Sequence, residues 1–156
     1  MSKIHLYNAQ IAWTGAGETG TKNYKSYDRS YAIHIEGKTT ISGSSDPTFR
    51  GDPACHNPED LLLASVSSCH MLWYLHLCSV SGVTVTDYVD NAEGFMEEDA
   101  AGSGRFTKIV LRPTIKITAD SDKEKAKTAH AKANKMCFIA NSLNCPVEHE
   151  AIIEVV

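Results

Sequence analysis

Cysteine and histidine offer this chain most of its nucleophilic and metal-binding capacity, and two of each fall in one short apolar segment. "VSSCHMLWYLHLC", residues 66–78, carries Cys69 and Cys78 with His70 and His76 between them. As metal ligands they are poorly spaced. The histidines are six residues apart and the cysteines nine, whereas ordinary zinc sites use a tight CxxC pair or an HxxxH pair on one helix face. Cys55, His56 and Cys145 would join such a set only through folding.

A nucleophilic thiol is the stronger chemistry. A free cysteine has a pKa near 8.5 and needs a cation, a base or a helix N-terminus to become a thiolate. On a helix, His70 points about 100° away from Cys69, and His76 shares its face but lies on the order of 10 Å along the axis. Cys69 should also sit about three turns into the helix, beyond useful reach of the dipole at its start. An arginine from elsewhere in the chain is the natural requirement.

The elements that would position these groups can be read from pattern. "IHLYNAQIAWT" reads as a strand, and "YAIHIEGKTTISG" as a hairpin turning at Glu36-Gly37. "SSDPTFRGDPACHNP" is a loop long enough to suggest function. Asn57 can cap the helix that follows, Pro58 fits its first turn, and Glu59 and Asp60 place negative charge at its positive end. That helix should run to Gly82. Its apolar residues cover more than one stripe, as expected of a central helix buried on most sides.

"VTVTDYVDNAEGFMEE" and "GRFTKIVLRPTIKITA" then read as two long strands joined by "DAAGSG". A second helix, carrying Cys137, is expected from about Asp122 to Leu143, and "EHEAIIEVV" as a last strand. This order describes an α+β fold with helices set against one mainly antiparallel sheet. The whole chain, 1–156, is expected to form a single domain.

Composition narrows the function. The 156 residues are 42% hydrophobic and 22% charged, with a net charge of −4 and scattered lysines and arginines, which argues against nucleic-acid or anionic-membrane binding. The start "MSKIHLYNAQ" lacks the pattern of a secretory signal, so a cytoplasmic location is expected. Thiols stay reduced there, and an odd count of five cysteines fits redox or packing roles better than a disulfide framework. The stretch 61–80 has the length of a membrane span but includes four serines and two histidines, and reads as a core helix of a soluble fold.

Several of these segments also resemble a known family. "GDPACHNPEDLLLASVSSCHML", "GVTVTDYVDNAEGFM" and "CFIANSL" are similar, in order and spacing, to the OsmC/Ohr family of thiol-dependent hydroperoxide reductases. The resemblance implies an OsmC-like fold and a peroxidase acting on organic hydroperoxides, with no cofactor and no metal. Carried over residue by residue, Cys69 would be the peroxidatic thiolate and Cys137 the resolving thiol. Arg29, in "YKSYDRSYAIHIEG", would activate Cys69, and Glu59 would hold that arginine in a bidentate pair. Arg50 competes with Arg29 for the activating role.

The implied partners are an organic hydroperoxide, an external dithiol reductant and a second copy of the chain in an intertwined homodimer. Departures from the family pattern are Phe138 after Cys137, where many relatives have proline, and His70 after Cys69, which suggests a more polar pocket edge. Cys145-Pro146 comes too late in the chain to replace Cys137. Cys78 is expected as a packing residue and Cys55 as a loop thiol. Two other functions keep the same residues: a binding module whose thiols are incidental, and a thiol transferase or hydrolase that uses Cys69 covalently.

Overall fold

A computed structural model describes residues 3–156 and divides the chain into two compact units, residues 1–61 and 62–156. In the first unit β1 (Gln10–Trp13), β2 (Tyr31–His34) and β3 (Ile41–Gly43) form an antiparallel sheet in that order. The strand expected across residues 4–14 is paired only over its last part. β2 supplies partners only as far as His34, because the chain then turns at Gly37, whose φ of 74° suits glycine. Ile4, Leu6 and Tyr7 therefore lie unpaired and exposed.

The main helix, α1 (Pro58–Ser81), starts and stops where the sequence places it. Asn57 Oδ1 accepts from the Asp60 amide at 2.7 Å, and Asp60 Oδ2 accepts from the Asn57 amide at 3.3 Å, a reciprocal capping box. At the other end Gly82 adopts φ 76°, and the Val83 amide reaches back to the Cys78 carbonyl at 2.9 Å. This Schellman closure drives Val83 into the core.

The second unit holds β4 (Val85–Asp90), β5 (Glu93–Glu98), β6 (Gly104–Leu111), β7 (Pro113–Ile117), α2 (Lys123–Met136), β8 (Val147–His149) and β9 (Ile152–Val155). Its sheets are ordered β4-β7-β9 and β5-β6-β8. The β4–β7 and β5–β6 pairs are antiparallel, whereas β8 and β9 run parallel to β6 and β7. The fold class is α+β, as expected.

The two long strands and the last strand read from the sequence are each broken in two, at Asn91–Ala92, at Arg112 and at Glu150–Ala151. Pro113 has no amide to give a continuous ladder, and the neighbouring polar groups close the gap. The Arg112 amide donates to Asp90 Oδ1 at 2.7 Å, and its guanidinium pairs with Glu93 and with Glu150. Ser67 ties α1 to the same seam through a 2.5 Å hydrogen bond to Asp90 Oδ2.

Two expectations about the helices need correction. α1 is buried along one stripe, Val66, His70, Tyr74 and Cys78, while Leu72 and Val80 are exposed. A helix lying on a sheet buries one face, so the additional apolar stripe is left outside this core. The second helix ends at Met136 rather than Leu143. Cys137 leaves helical geometry (ψ 109°), and Asn141 Nδ2 donates to the Lys135 carbonyl at 3.0 Å. That turn sends Ile139 and Leu143 into the cluster formed by Val66, Ile109 and Leu111.

Candidate active site

Cys69 and Cys137 come from opposite ends of the second unit's sequence and lie within interaction range of one another. Cys69 projects from the middle of α1 and is half-buried, whereas Cys137 is fully buried at the C-terminal cap of α2. Burial pushes the Cys137 thiol up to about 11, and the neighbouring Cys69 adds to the rise. The Ala140 amide, donating to Cys137 Sγ at 3.4 Å, and the Ile139 amide oppose it. Cys137 is thus a neutral thiol at pH 7, placed beside a more accessible one. All five cysteines are free thiols.

The geometry follows from the helix faces. Ala126, Ala129, His130, Ala133 and Cys137 are buried along α2 and its C-terminal cap, and the three small alanine side chains let this helix pack into the cluster of Tyr74 and Cys78 of α1 and Ile115 and Ile117 of β7. Cys137 then emerges one residue past the helix, at the level of Cys69.

His70 points into this core and not toward a pocket edge, which corrects the expectation of a more polar rim beside Cys69. Its Nε2 lies 3.0 Å from His130 Nδ1, both rings are buried, and they are nearly parallel at an interplanar angle of 7°. His149 of β8 completes the cluster, with ring centroids 5.8 Å and 5.6 Å from those of His70 and His130. Tyr74 stacks on His130 at 4.0 Å. Burial holds His70 down at about 4 and His130 at about 3, and also lowers His149. His130 and His149 were not singled out by sequence, although His130 falls on the alanine face of α2 seven residues before Cys137.

On the accessible side, Leu72, Trp73 and His76 line a shallow depression of about 310 Å³. Phe138, next to Cys137, meets the Trp73 ring edge-on at 5.7 Å and is itself exposed. His76 lies against the same indole at 5.9 Å. Cys78 is buried in the core cluster, as expected, and Cys55 is a partly exposed thiol of the loop before α1.

Arg29 sits in the first unit, held by its own loop. Its guanidinium donates to the carbonyls of Tyr27 at 2.6 Å and Tyr24 at 2.9 Å, and lies over both rings at 4.1 Å and 4.4 Å. Arg50 also faces the Tyr24 ring, at 5.8 Å, so both candidate arginines gather around one tyrosine. The ion pairs among the described residues include none between Arg29 and Glu59. Glu59 lies near Tyr31, whose hydroxyl pKa is raised first by burial and then by the charges of Glu59 and Asp60. The Tyr31 ring occupies space that a side chain at Gly43 would fill. No group of three or more His, Cys, Asp and Glu side chains among the described residues is placed to hold a metal ion.

A family model described as OsmC-like protein matches residues 51–151. The chain belongs to this OsmC-like family. It is similar to an OsmC-like protein of unknown function from Vibrio cholerae, with a TM-score of 0.85 at 29% identity, covering 96% of this chain and 100% of that one. An organic hydroperoxide resistance protein from Elizabethkingia anophelis shares the fold, with a TM-score of 0.67 at 16% identity over 97% and 99% of the two chains. By sequence, an uncharacterized protein of Methanocaldococcus jannaschii is 29% identical over 63% of this chain. The aligned segment spans 50% of that relative's length. The family match includes both Cys69 and Cys137 and begins after Arg29.

Proposed function

We propose that this OsmC-like protein is a thiol-dependent peroxidase that reduces organic hydroperoxides, with Cys69 as nucleophile and Cys137 as resolving thiol. The observation that carries the reading is the pairing of an accessible and a buried thiol at the junction of α1 and α2. The Cys69 thiolate attacks the terminal oxygen of the hydroperoxide and the O–O bond breaks. The alkoxide leaves as an alcohol after taking a proton, and Cys69 becomes a sulfenic acid. Cys137 sulfur then bonds to Cys69 sulfur as the S–O bond breaks, and the oxygen leaves as water with the Cys137 proton. An external dithiol reduces the disulfide by exchange and is itself oxidised.

The apolar depression at Leu72 and Trp73 suits an alkyl or aryl hydroperoxide better than hydrogen peroxide, because burial of an apolar group contributes about 25 cal/mol per Å². Arg29, always charged, is proposed to favour the Cys69 thiolate, and Glu59 to orient it. Arg50 is its competitor. The exposed apolar side chains Leu72, Val80 and Phe138 support a homodimer in which a second copy covers them. Five free thiols fit a reducing, cytoplasmic setting.

The test is consumption of cumene hydroperoxide with a dithiol as reductant. The wild type should turn over, Cys69→Ser should not, and full activity in Cys69→Ser would exclude the mechanism. Binding of an apolar ligand at the depression with no oxidation of Cys69 would favour a binding module instead. A covalent acyl adduct on Cys69 with thioesters would favour a transferase.

A further inference from the structure

The buried histidines have no part in the chemistry above, yet they sit where it would be controlled. His70 follows Cys69 on α1, and His130 lies two turns before Cys137 on α2. Their 3.0 Å contact is a side-chain hydrogen bond joining the two helices that carry the thiols. We infer that the His70–His130 pair is a positioning device for the dithiol: neutral, it holds Cys137 against Cys69, and protonated, it lets the two thiols separate. This inference rests on the proposed pairing of Cys69 with Cys137 as the working dithiol.

The hydrogen-bonding inventory explains the switch. One neutral ring donates N–H to the other, and the distal atoms, His70 Nδ1 and His130 Nε2, are buried with no protein hydrogen-bond partner among the described residues. A first added proton must occupy one of those sites, and so buries a charged N–H away from any protein acceptor among the described residues. A second proton places two N–H groups head to head across 3.0 Å and abolishes the bond.

Among the described residues no carboxylate is paired with either ring. The titratable group facing the pair from β8 is His149, another imidazole, whose charge would repel. From α1 comes Tyr74, which leads on to Cys78 and, from β4, to Tyr88. The carboxylates flanking His149 are engaged elsewhere, Glu148 with Lys108 and Glu150 with Arg112. The low proton affinities of His70 and His130 agree with this arrangement. An opened form with solvated imidazoles would take up protons near pH 6.5, so acid favours opening.

The experiment measures Cys69–Cys137 disulfide formation driven by diamide in the full-length reduced protein, by peptide mapping and mass, from pH 5 to 8. His70→Gln with His130→Asn retains amide groups near the Nε2 and Nδ1 positions but cannot titrate. It should close at the wild-type rate at pH 7.5. At pH 5 the wild type should fall about tenfold further than this variant, the shared thiol titration cancelling in the ratio. His70→Leu with His130→Leu, without the bond, should close several-fold more slowly at pH 7.5.

Superimposable pH curves for the wild type and the Gln/Asn variant would overturn the inference. If the double variant does not fold, His130→Asn alone is read instead, and it should lose less closure at pH 5 than the wild type while keeping the part that His70 still contributes. Diamide requires no peroxidase activity. A protein inert to hydroperoxide but showing the pH-gated closure would refute the proposed function and leave this inference standing.

Discussion

The two compact units hold their candidate chemical groups in different ways. In residues 62–156, Cys69, Cys137 and the three histidines are brought together from two helices and a strand by the packing of those elements on one another. In residues 1–61, Arg29 is held by carbonyls and rings two and five residues away. The first arrangement is a product of tertiary folding, and the second is almost entirely local. Disturbing the thiol side should therefore alter chemistry and stability together, whereas disturbing the arginine side should alter chemistry alone.

The largest effect tests the thiol side. Cys69→Ser should lower hydroperoxide turnover at least about a thousandfold with unchanged circular dichroism, since it exchanges the nucleophilic sulfur for an oxygen and leaves the shape of the side chain nearly the same. Cys137→Ser should leave the first oxidation of Cys69 within about twofold of wild type but make the sulfenic acid persist, measured by trapping with a dimedone-type reagent. Equal lifetimes of the sulfenic acid in both proteins would remove Cys137 from the mechanism.

Stability against pH comes next. His70 and His130 are buried and His149 half-buried, all with proton affinities below the ordinary 6.5, at about 4 and about 3 for the first two. Above pH 6.5 both folded and unfolded states hold them neutral, and they add no pH dependence. As pH falls below 6.5 the unfolded chain takes up protons that the folded chain does not, so stability should fall by up to about 1.4 kcal/mol per pH unit for each of His70 and His130, until the folded values are reached, with His149 acting in the same direction. Urea unfolding at pH 7 and pH 5 checks this, and the Gln/Asn double variant should flatten the curve.

Smaller effects should separate the first unit from the second. Arg29→Met should slow Cys69 oxidation about tenfold, while Arg50→Met should change it less than about twofold. Both should leave unfolding midpoints nearly unchanged, because neither residue supports a buried core. The reverse ranking would transfer the activating role to Arg50. Asn57→Ala, which removes the helix cap, should cost about 1 kcal/mol in urea unfolding and leave thiol chemistry intact.

Much of this molecule was legible from sequence because it is written locally. The Asn57-Pro58 start, the Gly82 stop and the hairpin turn at Gly37 are short-range signals, and each appears where its residues dictate. The break at Arg112 is signalled by Pro113 but masked by the alternation on either side of it, and the breaks at 91–92 and 150–151 carry no such residue. The early end of α2 was hidden because its apolar tail looks helical, whereas Asn141 caps the chain and Ile139 and Leu143 serve a second cluster. Cys69 was found through its own segment. Its histidine neighbours escaped because His130 and His149 reach His70 only after three separate elements pack, and no local pattern encodes that meeting. The Arg29 contacts are local, but their surroundings of tyrosine rings and carbonyls carry no motif.

The central claim is that Cys69 and Cys137 form one working dithiol. It is tested most directly by adding one equivalent of cumene hydroperoxide to the fully reduced protein, then quantifying the alcohol and mapping the cysteines by mass spectrometry. The account predicts one equivalent of cumyl alcohol, a Cys69–Cys137 disulfide, and thiols intact at Cys55, Cys78 and Cys145. Unreacted hydroperoxide with all five thiols intact, or oxidation confined to another cysteine, would contradict it.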